Sequence, residues 1–179
     1  MAEIIIISEN DVREFYPQLS ANIDPKKIDA STLKAQRTDL ERFLGYYLYN
    51  TFIEDYKSAG EFTTTIYQTL YDGETYSYKG NNRYFRGVRH LLSVYSFARI
   101  MGISDINVTT SGMVNKVTEE SELRENSEQR YDIMMVKDDY IGLEKNVLDY
   151  ILTKIEDYKL YHKRYSTDDY KTSFDFTRI

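Results

Sequence analysis

The chain contains two histidines, His90 and His162, and both lie on predicted helices. Neither has a second ligand at the spacing that zinc sites use, so each is more typical of a satisfied core or surface side chain than of a metal ligand. Cysteine is absent, which excludes disulfides, cysteine-ligated zinc and thiol catalysis. The sequence therefore predicts no metal site at these positions.

Carboxylates form runs at residues 119–122, 138–139 and 168–169. Such groups can bind calcium or magnesium or act as an acid pair, but no EF-hand spacing follows them and their surroundings are hydrophilic. Solvated faces and helix starts explain them better. Residues 80–87 begin and end with glycine but lack the Gly-Lys-Ser/Thr ending of a phosphate loop, and Ser111 has no glycine two residues before it. We expect no catalytic residue, no cofactor and no enzymatic activity.

Three arginines, Arg83, Arg86 and Arg89, follow one another at intervals of three residues. A helix predicted over residues 82–101 would place them on one ridge, which could meet acidic groups on a partner or a phosphate. A solvated helix face is the simpler interpretation of the same spacing. We retain the basic ridge as a candidate binding surface.

The composition describes one soluble domain with an unusual amount of tyrosine. There are 18 Tyr and no Trp among 179 residues, and the net charge is -6 with a pI near 5.0. Tyrosine is suited to surfaces that are exposed to solvent in the isolated subunit and buried in a complex. Many of these rings are nevertheless expected in a helical core. The acidic charge argues against a general nucleic-acid binder. The apolar run at residues 4–7 is too short for a signal peptide, and no membrane span is expected.

Hydrophobic periodicity predicts mainly helices. Residues 4–7 read as a short extended segment before a helix start at residues 8–11, and Asp24 followed by Pro25 is typical of an N-cap. Gly45 lies inside the next long helical pattern and is read as a kink, a close-packing point or a tolerated glycine. Asp72 and Gly73 mark a turn, and alternation over residues 76–82 is compatible with a brief β-ribbon.

A polar excursion over residues 107–127 interrupts the helical pattern. Connections within compact domains usually run about 4–6 residues, so a longer one indicates a working surface or a linker. Its portion over residues 108–117, punctuated by Gly112, predicts a small hairpin or an arm. The longest helix begins at Asn126 or Ser127 and continues to about Tyr165, with either a kink near Gly142 or a projecting end. The predicted fold is mainly α, a small helical bundle with a long C-terminal helix and a small β-hairpin or extended arm inserted before it.

The order of these segments resembles a known family. A helix pair, a Tyr-rich turn, the helix with Arg-His-Leu-Leu-Ser-Val-Tyr-Ser-Phe-Ala-Arg at 89–99, and the insertion Val-Thr-Thr-Ser-Gly-Met-Val-Asn-Lys-Val-Thr-Glu-Glu-Ser-Glu at 108–122 precede a long final helix. Over about residues 24–162 this arrangement is similar to the head-to-tail connector (adaptor or ring) proteins of tailed bacteriophages, most of all those of crAss-like and other Bacteroidetes phages.

The resemblance implies a structural virion protein, made in the bacterial cytoplasm, that forms a ring of about twelve copies below the portal protein. Its partners would be sister copies, the portal and neighbouring tail or ring proteins, with genomic DNA passing through the lumen without sequence-specific contact. We expect three parts of the chain: an N-terminal extended segment and short helix (1–23), a helical adaptor domain with an arm at 106–126 (24–165), and a C-terminal docking tail (166–179). The expected interface residues are Ile4, Ile5, Ile6, Ile7, Gly112, Met113, Val114, Val117, Tyr170, Phe174, Phe176 and Ile179.

Two other classes compete with a ring protein. A cytosolic helical enzyme or ligand-binding domain would gather tyrosine hydroxyls around His90 or His162. A helical DNA-binding regulator would use the basic ridge. Neither class explains the long arm or the apolar chain ends. The sequence leaves open the number of subunits, the residues that line a channel and the position of the protein in a stack of rings.

Overall fold

The computed structural model describes residues 4–17, 19, 23–57, 60–104, 106–109, 112–115 and 126–161. It is mainly α, as predicted. In chain order the elements are α1 (Glu9–Phe15), α2 (Pro25–Ala35), a π-helical turn (Gln36–Leu40), α3 (Glu41–Leu44), α4 (Tyr46–Lys57), α5 (Thr65–Asp72), β1 (Glu74–Tyr78), β2 (Asn81–Phe85), α6 (Gly87–Ser104), β3 (Ile106–Thr109), β4 (Gly112–Asn115) and α7 (Asn126–Thr153). No described helix is long and apolar enough to cross a membrane.

The first helices begin where the sequence predicts. Ser8 caps α1 through a capping box, in which the Asp11 amide donates to Ser8 Oγ over 3.2 Å and the Ser8 amide donates to Asp11 Oδ2 over 2.6 Å. Asp24 caps α2, with Pro25 at the first helical position. Both devices satisfy amides that have no partner within the helix. At Gly45 the chain breaks with φ +77°, which selects the kink among the three interpretations of this residue.

Helix α6 is the centre of the core. Seven consecutive residues, 91–97, are buried, and α1, α2, α5 and α7 pack around them. A helix that is buried on all sides needs apolar side chains, or small hydroxyl side chains that form their hydrogen bonds within the helix. Ser93 and Ser96 meet this need because each donates its hydroxyl to the carbonyl four residues earlier.

A tight hairpin joins α5 to α6. Strands β1 and β2 are antiparallel, and a two-residue turn at Lys79 and Gly80 connects them, with both residues at positive φ. The expected ribbon is therefore present, but the helix predicted from residue 82 begins only at Gly87. Gly73 and Gly87 lie against each other at the hairpin's base, where a Cβ on Gly87 would stand 2.3 Å from the Tyr71 carbonyl oxygen.

The polar excursion carries the predicted hairpin. Strands β3 and β4 pair antiparallel between α6 and α7, with Val108 opposite Met113. Helix α7 then runs through Gly142 and ends at Thr153, so the prediction of a helix to about Tyr165 is wrong. Turns over residues 154–161 replace its last part, because they bring Tyr158 into the core, where its hydroxyl donates to the Ile66 carbonyl.

Candidate protein–protein interface

The N-terminal isoleucines belong to the core of their own chain. Ile6 and Ile7 are buried, while Ile4 and Ile5 are half-buried. The segment forms no strand. Instead, the Gln36 side chain accepts from the Ile6 amide over 3.1 Å and donates to the Ile4 carbonyl over 3.0 Å. The expectation that Ile6 and Ile7 contact a sister copy is wrong, because their side chains are already covered by this chain.

Gln36 reaches the N-terminal segment from the π-helical turn. The wider turn between α2 and α3 leaves Gln36 and Asp39 both buried. Asp39 forms a two-point ion pair with Arg99 of α6, at 2.7 and 3.0 Å. A π-helical turn often marks a functional position, but here both polar side chains bond within the chain. This cluster fixes the N-terminal segment and α6 rather than presenting a site.

The arm residues divide between described and undescribed parts of the chain. Gly112, Met113 and Val114 lie on β4, where Met113 pairs with Val108 and Val114 with Asn107. Val117 lies outside the described residues. So do the four tail residues expected at the interface, Tyr170, Phe174, Phe176 and Ile179. The arm's position between α6 and α7 is the one that the sequence predicts.

The basic ridge does not form on one helix. Arg83 lies on β2, Arg86 lies between β2 and α6, and only Arg89 is helical. Arg89 faces α1, where it pairs with Asp11 at 3.0 Å and Glu14 at 3.5 Å and covers the Phe15 ring. The three-residue spacing predicts a helix, but its first part belongs to an extended strand. Arg83 and Arg86 instead share the hairpin.

We define the hairpin surface as Tyr78, Lys79, Arg83, Tyr84 and Arg86. Arg83 stacks on the Tyr78 ring at 4.4 Å, and Lys79 lies over the same ring at 5.2 Å. Tyr84 is 61% exposed. The exposed Arg86 side chain makes no ion pair with any described residue. Positive charge and aromatic area therefore coincide on this surface.

Helix α7 holds the hairpin surface in place. The Asn146 side chain accepts from the Arg86 amide over 3.1 Å and donates to the Tyr84 carbonyl over 3.0 Å. The Phe85 ring stacks on Tyr150 at 3.9 Å, and Arg83 pairs with Asp149. Glu74 of β1 accepts from Lys154 and from the Tyr150 hydroxyl. The ion pair with Lys154 is the largest of the effects that lower the pKa of Glu74, so this carboxylate stays charged beside its partner.

A second exposed aromatic surface lies on α4. We define the α4 surface as Tyr46, Tyr47, Thr51 and Glu54. Tyr46 and Tyr47 are 59% and 60% exposed, and their rings touch edge to face. The opposite side of the helix buries Leu48, Tyr49 and Phe52. Sequence reasoning did not select Tyr46 or Tyr47, although four successive large apolar residues at 46–49 cannot all face one core.

Of the two histidines, the structure describes His90. His90 is half-buried, and its ring stacks on Phe15 at 4.1 Å. Burial, together with the charges of Arg86 and Arg89, lowers the pKa of His90 to about 4. His162 lies outside the described residues. Among the side chains that the structure describes, no three acidic or histidine groups converge as metal ligands.

Tyrosine hydroxyls bond inward at several points of the core. Tyr95 donates to Glu144, Tyr71 donates to the Ile6 carbonyl, and burial raises the pKa of both phenols well above their usual range. Such groups stay protonated at neutral pH and serve as hydrogen-bond donors rather than nucleophiles.

A protein-family model matches most of the chain. A model described as a family of unknown function (DUF6712) matches residues 40–171. This span runs from the end of the π-helical turn through α7 and includes both hairpins. No curated protein and no solved structure matches the chain.

Proposed function

We propose that this chain, which belongs to the family of unknown function DUF6712, is a structural protein of a tailed-phage virion. Copies of the chain form a ring at the head-to-tail connector, and DNA passes through the channel of that ring. The protein acts through contacts with sister copies, the portal protein and neighbouring tail components. It catalyses no reaction.

One observation carries the proposal. A β-hairpin (β3–β4) stands between α6 and the long α7, at the position where the resemblance to connector proteins implies an arm. A ring built by rotation joins two different surfaces of each copy, so a protruding arm or hairpin on one copy must meet another part of the next. An antiparallel pair of strands also offers an edge to which a neighbouring chain can add.

Charge and exposed aromatics support the same proposal. The chain carries a net charge of -6, and acidic walls repel DNA electrostatically, so they favour its passage over its binding. Among the described residues, the three most exposed large aromatic side chains lie on the hairpin surface and the α4 surface. Tyrosine and arginine are enriched where proteins bind one another.

The proposal is tested by native mass spectrometry and negative-stain imaging of the full chain, alone and co-expressed with a portal protein. We expect a ring in solution or a chain that joins a ring only on the portal. A chain that stays monomeric at high concentration and does not bind the portal refutes the proposal. The rival of a DNA-binding regulator required a helical basic ridge, and that ridge is divided between a strand, a turn and a helix.

A further inference from the structure

We infer that the hairpin surface of one copy docks on the α4 surface of a second copy. The inference rests on the proposed ring and names the contact that joins its subunits. It replaces Ile6 and Ile7, which are buried in the core, with two surfaces that each carry at least one tyrosine that is about 60% exposed. The occupant of the hairpin surface is thus another copy of this chain.

The charge of the hairpin points to an acidic partner. Residues 74–86 contain Lys79, Arg83 and Arg86 against one acid, Glu74, a net charge of +2. Subtracting this +2 from the chain's -6 leaves -8 on all other residues. The positively charged hairpin of one copy is therefore attracted to the negatively charged remainder of another copy, because opposite electrostatic potentials steer association.

The composition of the hairpin surface favours a protein over a nucleic acid. Arg83 and Tyr84 are residue types that dominate protein–protein contacts. A phosphate-binding surface gains affinity with each cation that it adds, but here Arg83 already pairs with Asp149 of its own chain. The two remaining cations, Lys79 and Arg86, would bind DNA only weakly on a chain with a net negative charge. They suffice for a contact that also buries aromatic area.

The α4 surface has the complementary chemistry. Tyr47, Thr51 and Glu54 follow one another at helical spacing on one exposed face, beside Tyr46. Glu54 is 67% exposed, and its carboxylate pairs with Lys57 at 3.0 Å. Tyrosine faces attract guanidinium groups, and Glu54 offers a carboxylate at the end of the same face. Arginine from one copy can therefore meet both tyrosine and glutamate on the next.

The two surfaces rest on different helices. The hairpin is held by α7 through Asn146 and Tyr150. Helix α4 packs instead on α5, with the Phe52 ring against Tyr67. Each copy therefore offers one surface of each kind, and both are supported by the folded core before any partner binds. This is the requirement for a head-to-tail contact.

Cross-linking tests the contact directly because the chain has no cysteine. One batch of the full chain carries Asn82→Cys on the hairpin, and a second batch with a different tag carries Thr51→Cys on α4. Both positions are exposed and leave the tyrosines and arginines unchanged. The batches are mixed, alone and with the portal, and treated with a short bismaleimide. We expect mixed-tag dimers several times more abundant than either same-tag dimer, and Arg86→Glu to lower their yield roughly tenfold.

A charge exchange controls for folding. Arg86→Glu and Glu54→Arg should each weaken the mixed cross-link, and the two together, placed on opposite batches, should restore much of it. Lys26→Glu is the matched control, because it makes the same change of charge at an exposed lysine at the start of α2, which belongs to neither surface. This control should leave the yield unchanged. Duplex DNA binding that Arg86→Glu removes would assign the hairpin to phosphate and overturn the inference.

The outcomes separate the inference from the proposed function. Rings in the images without the mixed cross-link overturn the inference alone. A strong mixed cross-link in open filaments supports the inference and contradicts the connector ring. No association of any kind, with or without the portal, overturns both.

Discussion

Replacing His90 by phenylalanine should make the protein less sensitive to acid. The ring of His90 stacks on Phe15, with the planes 10° apart, and phenylalanine keeps that stack. Burial and the neighbouring charges of Arg86 and Arg89 lower the pKa of His90 to about 4, against 6.5 for an ordinary histidine. The folded state therefore holds this imidazole neutral at pH values where the unfolded chain protonates it.

The direction of the pH effect follows from proton binding. Between pH 6.5 and 4 the unfolded chain binds more protons at this residue than the folded chain does, so the stability is complete above 6.5 and falls as the pH falls. At pH 5.5 these two pKa values give a loss of about 1.4 kcal/mol. The ring is only half-buried, and halving the loss for screening by water leaves about 0.7 kcal/mol.

Urea unfolding of both proteins at pH 7.5 and pH 5.5 measures this loss. The wild type should lose between about 0.7 and 1.4 kcal/mol more than His90→Phe over that interval. The second histidine and the carboxylates are present in both proteins, so their titrations cancel in the difference. Parallel pH profiles would refute the argument, because they would mean that His90 titrates as freely in the folded chain as in the unfolded one.

Four further substitutions test two glycine positions and two buried polar contacts. Gly87→Ala should lower the free energy of unfolding by more than about 2 kcal/mol, because the φ of Gly87 is +80° and the added Cβ has no room. Gly142→Ala should instead raise the free energy of unfolding by about 0.5–1 kcal/mol, because the space around Gly142 on α7 is open. Gln36→Ala leaves the buried Ile6 amide without its acceptor, so limited proteolysis should cut the N-terminus faster and urea unfolding should show a loss of about 1–3 kcal/mol. Asp39→Asn breaks a largely buried ion pair with α6 and should cost about 3–5 kcal/mol in the same assay; a loss below 1 kcal/mol would mean that water screens the pair.

Much of the fold was predictable because local rules decide it. The capping residues Ser8 and Asp24 start their helices through hydrogen bonds to nearby amides, and such bonds need no distant partner. The β3–β4 hairpin follows from β-branched residues on either side of Gly112. These signals lie within a few residues of the structure they specify, so one sequence suffices to read them.

The burial of the N-terminal segment was not predictable in this way. An apolar run at residues 4–7 indicates that a partner must cover it, but not whether the partner is its own chain or another. The answer depends on Gln36, about thirty residues away, and on a π-helical turn that places its amide group against the segment. Helical periodicity gives no sign of a single wide turn, because the apolar spacing around it stays close to that of an α-helix.

The candidate surfaces were found only in part for a related reason. The spacing of Arg83 and Arg86 predicts a helix where the structure has a strand and its connection to α6, and no pattern in the sequence distinguishes the exposed Tyr46 and Tyr47 from buried tyrosines. Exposure is a property of tertiary packing: Tyr47 and Tyr49 have the same side chain and similar neighbours, yet one is 60% exposed and the other 7%. The two rings differ because they lie on different sides of α4.

Symmetry gives the two surfaces different roles in the proposed assembly. If two copies met through a two-fold axis, each hairpin surface would face its own equivalent and bring Lys79, Arg83 and Arg86 against the same three cations. Like charges in an interface disfavour the complex. Contact between the hairpin surface and the α4 surface avoids this repulsion, and it leaves one unused surface of each kind at the two ends of a growing chain of copies. A ring is the closed form of that arrangement, in which the unused surface of the last copy binds the unused surface of the first.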